Sequence, residues 1–311
     1  MKLRGSMVAL ITPFRNGRVD EPTLKRLVEL QITQGTSAIV PCGTTGESAT
    51  LSHEEHDRVV ELVVQTSRGR IPVIAGTGSN NTAEAIRLTQ HAKQAGADAA
   101  LLISPYYNKP TQQGLYLHFK AVAEAVDLPI ILYNIASRTA VNIEPETIAR
   151  LVADAPNIVG VKESSGNLEQ MSQILRLTRH RLTLLSGDDG LTLPVLGIGG
   201  TGVISVAANI VPKDVAAMVA AFEQGKLSQA IERHERLLPL VRALFVETNP
   251  APVKTAMALL GMIPEASVRL PLCAISEASL AKLTTALEAY GLKAPAVRQP
   301  ARKVSASRHG R

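Results

Sequence analysis

The chain has 311 residues, 45% of them hydrophobic, which is enough for one large α/β barrel or for two ordinary domains. The formal net charge is +6, but six basic and no acidic residues lie after residue 292, and the remainder has 27 basic and 27 acidic residues. This neutral main body excludes a broad nucleic-acid-binding surface on it, and two cysteines exclude a disulfide framework and indicate the cytoplasm.

The N-terminal and central apolar stretches predict neither an export signal nor a membrane span. Pro13 interrupts the first apolar run before the apolar region of a signal peptide could form. The uncharged stretch 190–212 has the length of a membrane helix, but it contains Pro194 and several glycines. A short helix followed by a buried strand explains that stretch better.

Eight short apolar runs recur along the chain, and a segment with helical periodicity follows seven of them, while the segment after the seventh run is short. The runs are apolar throughout instead of alternating, which predicts burial on both faces, as in a parallel sheet. Eight such units predict a (β/α)8 TIM barrel over residues 1–226, with a doubly wound sheet as the alternative. The runs are 7–13, 38–43, 72–76, 99–105, 129–134, 158–162, 182–186 and 202–207.

The clearest helix signal is Ser52-His53-Glu54-Glu55, a capping box that precedes an apolar face. After residue 226 the strand pattern stops, and three further helices are predicted at 227–246, 251–261 and 277–292. We therefore expect a C-terminal helical domain over 227–292. The segment 293–311 contains prolines, serines and basic residues, and we expect a disordered, solubilising tail.

Lys162 ends the sixth apolar run, where burial disfavours the ammonium form and favours a neutral amine. A neutral lysine amine can form a Schiff base with a carbonyl substrate, and a structural lysine at the rim of the sheet is the alternative. In a barrel, residues at the ends of the other strands gather near Lys162. These are Thr44, Thr45, Tyr106, Tyr107, Tyr133 and Gly187, while Ile204 lies within the eighth strand.

Other polar residues indicate ligand binding but no metal. Gly43-Thr44-Thr45-Gly46-Glu47-Ser48 is similar to an anion-binding turn, and the planar fork of Arg138 suits a carboxylate. His53 and His56 have helical spacing, but no third ligand is near them in sequence, so we expect no metal.

Eight segments of the chain are informative when they are taken together. They are Gly43 to Ser48, Pro105-Tyr106-Tyr107-Asn108, Leu132-Tyr133-Asn134, Ser137-Arg138-Thr139, Gly160-Val161-Lys162-Glu163, Leu185-Ser186-Gly187-Asp188-Asp189, Gly202-Val203-Ile204-Ser205 and Asn249-Pro250-Ala251-Pro252-Val253-Lys254. These segments resemble the dihydrodipicolinate synthase family, part of the pyruvate-dependent aldolase and lyase superfamily that includes N-acetylneuraminate lyase. The resemblance covers about residues 3–292.

The resemblance implies a lyase of lysine and diaminopimelate biosynthesis that condenses pyruvate with L-aspartate-4-semialdehyde. Lys162 would form the imine with pyruvate and no other cofactor would be needed. Thr44 and Thr45 would hold the pyruvate carboxylate, and Arg138 would anchor the second substrate. Thr45, Tyr133 and Tyr107 would form a proton relay, with backbone groups of Gly187 and Ile204 around the imine.

The resemblance also implies an assembly and a regulator. Tyr107 would reach the site of a neighbouring subunit, which implies a dimer and usually a homotetramer made of two dimers. Feedback inhibition by L-lysine is implied because seven residues match, type for type, an effector site of the family. They are Ser48, Ala49, His53, His56, Asn80, Glu84 and Tyr106.

Two departures affect the loop of Arg138, since the family commonly has proline at the position of Ala136 and glycine at that of Ala140. The alternative within the superfamily is an aldolase for sialic acid (N-acetylneuraminate lyase) or for a 2-keto-3-deoxy sugar acid, which would not require a carboxylate clamp at Arg138. A different class is a non-catalytic barrel whose basic tail binds RNA or an acidic partner.

Overall fold

The computed structural model describes residues 3–293, and its framework is a set of eight parallel strands. A two-stranded antiparallel hairpin, β2 with β3, follows the first of them. In chain order the strands are β1 (Gly5–Ala9), β2 (Phe14–Arg15), β3 (Arg18–Val19), β4 (Ala38–Val40), β5 (Ile74–Gly76), β6 (Ala99–Ile103), β7 (Ile130–Asn134), β8 (Ile158–Glu163), β9 (Thr183–Ser186) and β10 (Gly202–Ser205).

The eight parallel strands form a barrel. They pair in the order β4-β1-β10-β9-β8-β7-β6-β5, and a parallel bridge between Ile39 and Val73 joins the two ends of this series. The predicted (β/α)8 barrel is therefore confirmed and the doubly wound alternative is wrong. Each predicted apolar run overlaps one barrel strand, and four of the eight runs extend past the carboxyl end of that strand.

Both faces of the strands are buried, which explains why the runs are apolar throughout. Leu101 and Ile131 point into the barrel, where they pack with Met7, Ile74 and Ile204. Their neighbours Leu102 and Leu132 belong to a second apolar cluster, between the strands and the surrounding helices.

Twelve α-helices are present in residues 3–293, and one of them begins with the predicted capping box. The Ser52 hydroxyl accepts a bond from the Glu55 N–H at 3.2 Å, and the Glu55 carboxylate accepts one from the Ser52 N–H at 3.0 Å, so the capping box is confirmed. The helices are α1 (Glu21–Thr33), α2 (His53–Ser67), α3 (Thr82–Ala95), α4 (Gln112–Ala125), α5 (Ala136–Thr139), α6 (Pro145–Asp154), α7 (Leu168–Leu177), α8 (Thr192–Gly197), α9 (Pro212–Glu223), α10 (Leu227–Leu244), α11 (Ala251–Leu259) and α12 (Glu277–Tyr290).

Three helices, α10 to α12, follow the barrel, as predicted. Leu240 of α10 and Val253 of α11 share an apolar cluster with Leu10 and Val203, so these helices pack directly on the barrel. Among the helices of residues 3–293, none has both the length and the apolar composition needed to cross a bilayer. The predicted tail, apart from Lys293, lies outside the described residues.

Candidate functional site

Lys162 lies on β8 with its side chain directed into the barrel, and only 6% of the residue is exposed. It pairs in register with Tyr133 of β7, and its Nζ lies 4.0 Å from the centroid of the Tyr133 ring. Lys162 forms no salt bridge with any residue between 3 and 293. The structure thus brings together the two residues to which the sequence assigns imine formation and proton transfer.

Because Gly187 has no side chain, there is room beside it for the side chain of Lys162. A Cβ atom at this position would be 1.8 Å from Ser164 Oγ and 2.9 Å from Lys162 Cε, so a larger residue would displace the lysine. The Gly187 N–H already donates to the carbonyl of Glu163 at 2.8 Å. Ile204, on β10, is buried in the barrel interior.

The turn that follows β4 is held by buried polar contacts. Thr45 is buried, and its hydroxyl oxygen accepts a hydrogen bond from Asn249 Nδ2 at 3.0 Å. Glu47 has a left-handed backbone (φ 55°) and pairs with Lys254 of α11 at 2.6 Å, with both side chains fully buried. Thr44 remains partly exposed toward the barrel mouth.

Two adjoining cavities connect this turn with the other predicted substrate residues. One, of about 270 Å³, is lined by Thr44, Arg138, Tyr106 and Asn249. A smaller one, of about 30 Å³, is lined by Thr44 and Tyr133. Thr44 borders both cavities. Arg138, the candidate for binding the second substrate, therefore lies at the same region of the barrel mouth as Tyr133.

Arg138 lies on the four-residue helix α5, directly after β7. Its Nη2 donates to the main-chain carbonyl of Asn249 at 3.3 Å. Arg138 also lines a cavity of about 240 Å³ together with Ser164 and Gly187, beside Lys162. The departure at Ala140 leaves the turn intact, since Ala140 adopts the left-handed conformation (φ 57°) and donates to the carbonyl of Ala136 at 2.9 Å.

Tyr107 is separated from the other predicted relay residues. The residue is 90% exposed, in contrast to the buried Thr45 and Tyr133, and its backbone is left-handed (φ 70°). Among the cavities formed by residues 3–293, those described above are not lined by Tyr107. Within one subunit the structure therefore does not bring Tyr107 to Lys162.

Five of the seven predicted effector residues line one cavity of about 400 Å³. His53 Nε2 lies 3.2 Å from the Glu84 carboxylate, and burial lowers the pKa of His56 below its usual value. The five residues are Ser48, Ala49, His53, His56 and Glu84.

The other two predicted effector residues, Tyr106 and Asn80, do not line this cavity. Tyr106 lines the neighbouring 270 Å³ cavity, which Ser48 and Ala49 also border. Burial, and to a smaller extent the Glu84 carboxylate, raises the pKa of the Tyr106 phenol. The Asn80 carbonyl accepts a bond from Asn108 Nδ2 at 2.9 Å, which ties it to the Tyr106–Tyr107 segment.

Sequence reasoning assigned no role to Asn249, Lys254 or Ser164, although all three lie at the site. Asn249 and Lys254 belong to the motif Asn249-Pro250-Ala251-Pro252-Val253-Lys254. This motif indicated the family but did not indicate where the two residues lie in the fold. Within residues 3–293 no three His, Cys, Asp or Glu side chains cluster closely enough to hold a metal ion.

Comparisons with known proteins match this architecture. The profile of the Dihydrodipicolinate synthetase family matches residues 2–304. A protein of Syntrophus aciditrophicus (strain SB) named 4-hydroxy-tetrahydrodipicolinate synthase is 59% identical over 289 residues, which cover 93% of this chain and 99% of that protein.

Solved structures agree in fold and sequence. The dihydrodipicolinate synthase of Aquifex aeolicus is 51% identical, with a TM-score of 0.92 over 94% of this chain and 99% of that one. The enzyme of Cyanidioschyzon merolae, solved with lysine bound, is 43% identical, with a TM-score of 0.90 over 93% of this chain and 98% of that one. The chain therefore belongs to the dihydrodipicolinate synthetase family and is a lyase with a TIM-barrel fold.

Proposed function

We propose that this chain acts as a 4-hydroxy-tetrahydrodipicolinate synthase, condensing pyruvate with L-aspartate-4-semialdehyde through a Schiff base on Lys162. The observation that carries the proposal is the buried Lys162 amine against the Tyr133 ring, in a chain 59% identical to a protein of that name. Arg138 at the cavity wall favours a carboxylate-bearing second substrate over the polyhydroxylated substrate of a sugar-acid aldolase.

The first half of the reaction is imine formation. The neutral amine of Lys162 attacks the ketone carbon of pyruvate, and the resulting carbinolamine loses water as protons pass through a neighbouring hydroxyl. Tyr133 is the group for this transfer, because it lies against Lys162 and borders the same small cavity as Thr44. Thr44 and Thr45 hold the pyruvate carboxylate, Thr45 through its main-chain N–H so that its hydroxyl can serve the proton relay, and main-chain groups of Gly187 and Ile204 flank the imine.

The second half forms a carbon–carbon bond and releases the enzyme. Loss of a methyl proton converts the imine to an enamine, whose carbon attacks the aldehyde of the second substrate while the aldehyde oxygen takes up a proton. The amino group of that substrate then attacks the imine carbon, so the ring closes and the Lys162 amine is released. Arg138 holds the carboxylate of the second substrate, and no metal or organic cofactor is required.

Borohydride trapping tests the role of Lys162. Reduction in the presence of pyruvate converts the imine to a stable secondary amine, so we expect loss of activity and a mass increase on the peptide that contains Lys162. Lys162→Ala should fold normally, lose most activity and take up no label. A label on Lys109 or on the buried Lys254 instead would contradict the assignment.

L-lysine is the proposed feedback inhibitor, bound in the 400 Å³ cavity that five of the predicted residues line. Glu84 supplies a carboxylate for an ammonium group, while Asn80 and the two histidines supply hydrogen bonds for the ends of the amino acid. The lysine-bound enzyme of Cyanidioschyzon merolae supports this assignment. Occupation of the cavity would act on Tyr106 and, through the next peptide unit, on Tyr107.

Millimolar L-lysine should lower the turnover number more than the affinity for pyruvate. Glu84→Ala should abolish this response while leaving basal activity within about twofold, because Glu84 lies outside the proposed reaction site. Glu61→Ala is the matched control, because Glu61 lies on α2 but does not line the cavity. This variant should remain sensitive to lysine. Full activity of the unmodified enzyme in millimolar lysine would refute the proposal.

The proposal also covers the oligomeric state, the cellular location and the domain organisation. The assembly is a homotetramer of two dimers in which Tyr107 acts on the neighbouring site, supported by the 90% exposure of Tyr107. The enzyme works in the cytoplasm, which suits a pathway of amino-acid biosynthesis and two free cysteines. Residues 1–226 are assigned to the catalytic barrel, 227–292 to a helical domain and 293–311 to a basic tail, and we expect neither nucleic acid nor a membrane as a partner of the enzyme.

A further inference from the structure

Asn249 touches two separate parts of the site. It is 5% exposed and lines the 270 Å³ cavity. Its side-chain Nδ2 donates to Thr45 Oγ1 at 3.0 Å, and its main-chain carbonyl accepts from Arg138 Nη2 at 3.3 Å. Its Oδ1 is buried and has no hydrogen-bond partner within residues 3–293.

We propose that Asn249 is a positioning residue that directs the Thr45 hydroxyl proton through its side chain and holds Arg138 through its carbonyl. The inference rests on the proposed function and deepens it. An amide NH₂ group has no free lone pair, so it can only donate. The Thr45 oxygen therefore accepts from Asn249, and the single hydroxyl proton of Thr45 is left for a different acceptor, which we assign to the proton relay.

The position of Asn249 is itself fixed by the fold. It directly precedes Pro250 and α11, and α11 is tied to the same turn as Thr45 by the buried Lys254–Glu47 pair at 2.6 Å. A donor held this firmly selects one orientation of the Thr45 hydroxyl before substrate arrives, which reduces reorganisation during proton transfer. The Arg138 contact uses the main chain, so replacement of the Asn249 side chain leaves that contact in place.

A double-mutant cycle on kcat tests whether Asn249 acts through Thr45. Asn249→Ala should lower kcat roughly tenfold, the upper effect of one neutral hydrogen bond, and leave KM for aspartate semialdehyde within about twofold. In the Thr45→Val background the same change should cost less than about twofold, because the hydroxyl that it orients is gone. A general loss of packing would instead lower kcat equally in both backgrounds.

Two further variants complete the test. Asn157→Ala removes an amide, away from the site, that donates to the carbonyls of Ala123 and Val126. The effect of Asn157→Ala on kcat should add to the effect of Thr45→Val. Asn249→Asp keeps the size of the side chain but replaces the donor with an acceptor, so kcat should fall at least as far as in Asn249→Ala.

Each outcome has a distinct meaning. An additive cycle, or near-normal kcat in Asn249→Asp, would overturn the role of Asn249 while leaving the synthase activity of the unmodified enzyme unaffected. Absence of condensation or of a Lys162 adduct in the unmodified enzyme would instead overturn the proposed function.

Discussion

Ala140 occupies a backbone conformation that favours glycine. Its φ is 57°, and it ends the short helix that carries Arg138. Thr139 supports the same turn, because its hydroxyl donates to the carbonyl of Val141 at 3.0 Å. The other departure, Ala136, stands at the first position of α5, where proline is well tolerated. Neither departure prevents the turn from forming, but the left-handed Ala140 raises the conformational free energy of the turn.

We therefore expect Ala140→Gly to stabilise the protein. A left-handed alanine costs about 1–2 kcal/mol, and the extra freedom of glycine in the unfolded chain offsets about half of this. The free energy of unfolding in urea should rise by about 0.5–1 kcal/mol, with kcat/KM nearly unchanged. Ala281→Gly, in the interior of α12, is the control and should lose about 1 kcal/mol. Equal losses in the two variants would show that the turn is not strained.

At the scale of secondary-structure elements, a buried ion pair joins the turn after β4 to α11. Glu47 and Lys254 are both fully buried, and Glu47 also accepts a bond from the Arg269 N–H at 3.0 Å. Desolvation lowers the pKa of Lys254, while the Glu47 carboxylate acts in the opposite direction. Lys254 Nζ also lies 4.1 Å from the centroid of the Phe14 ring, which adds a cation–π contact.

Removal of one partner of this pair should cost far more than removal of both charges. Lys254→Met leaves the Glu47 carboxylate buried without its cation, and the free energy of unfolding should fall by about 3–5 kcal/mol. The double variant Glu47→Gln/Lys254→Met should regain much of this loss, because a neutral amide can still accept from the Arg269 N–H.

The exposed pair Lys120 and Glu124 gives the matched control. Lys120→Met should change the free energy of unfolding by less than about 1 kcal/mol, since water screens a surface ion pair. Urea unfolding of the four proteins measures these differences. A Lys254→Met loss no larger than that of Lys120→Met would mean that the buried pair contributes little.

The elements differ in how far the sequence could predict them. The barrel strands were predictable because burial on both faces gives unbroken apolar runs, and α2 because Ser52 and Glu55 mark its start. The helix α5, with four residues, is too short to show a period, and the hairpin β2–β3 has only two residues in each strand. Asn249 and Thr45 are 204 residues apart, so their bond follows from barrel closure and the packing of α11, not from any local pattern.

At the scale of the whole molecule, a single subunit does not explain why Tyr107 is exposed. Tyr107 is 90% exposed, whereas Lys162 and Tyr133 are buried inside the barrel. The adjacent segment is nevertheless held in place, because Asn108 donates to the carbonyl of Asn80 at 2.9 Å. An ordered loop that presents a tyrosine outward suits a residue that completes the site of a neighbouring subunit.

Subunit mixing tests this action in trans. A hybrid of Lys162→Ala with Tyr107→Phe subunits contains one complete site, made of Lys162 from one chain and Tyr107 from the other. Random exchange in equal amounts should therefore restore about one quarter of normal activity in a dimer. Mixing Lys162→Ala with Thr45→Val is the control and should restore nothing extra, because both residues serve the site of their own subunit. If exchange is demonstrated with differently tagged subunits and the Tyr107→Phe hybrids gain no activity, Tyr107 serves its own subunit's site or lies outside catalysis.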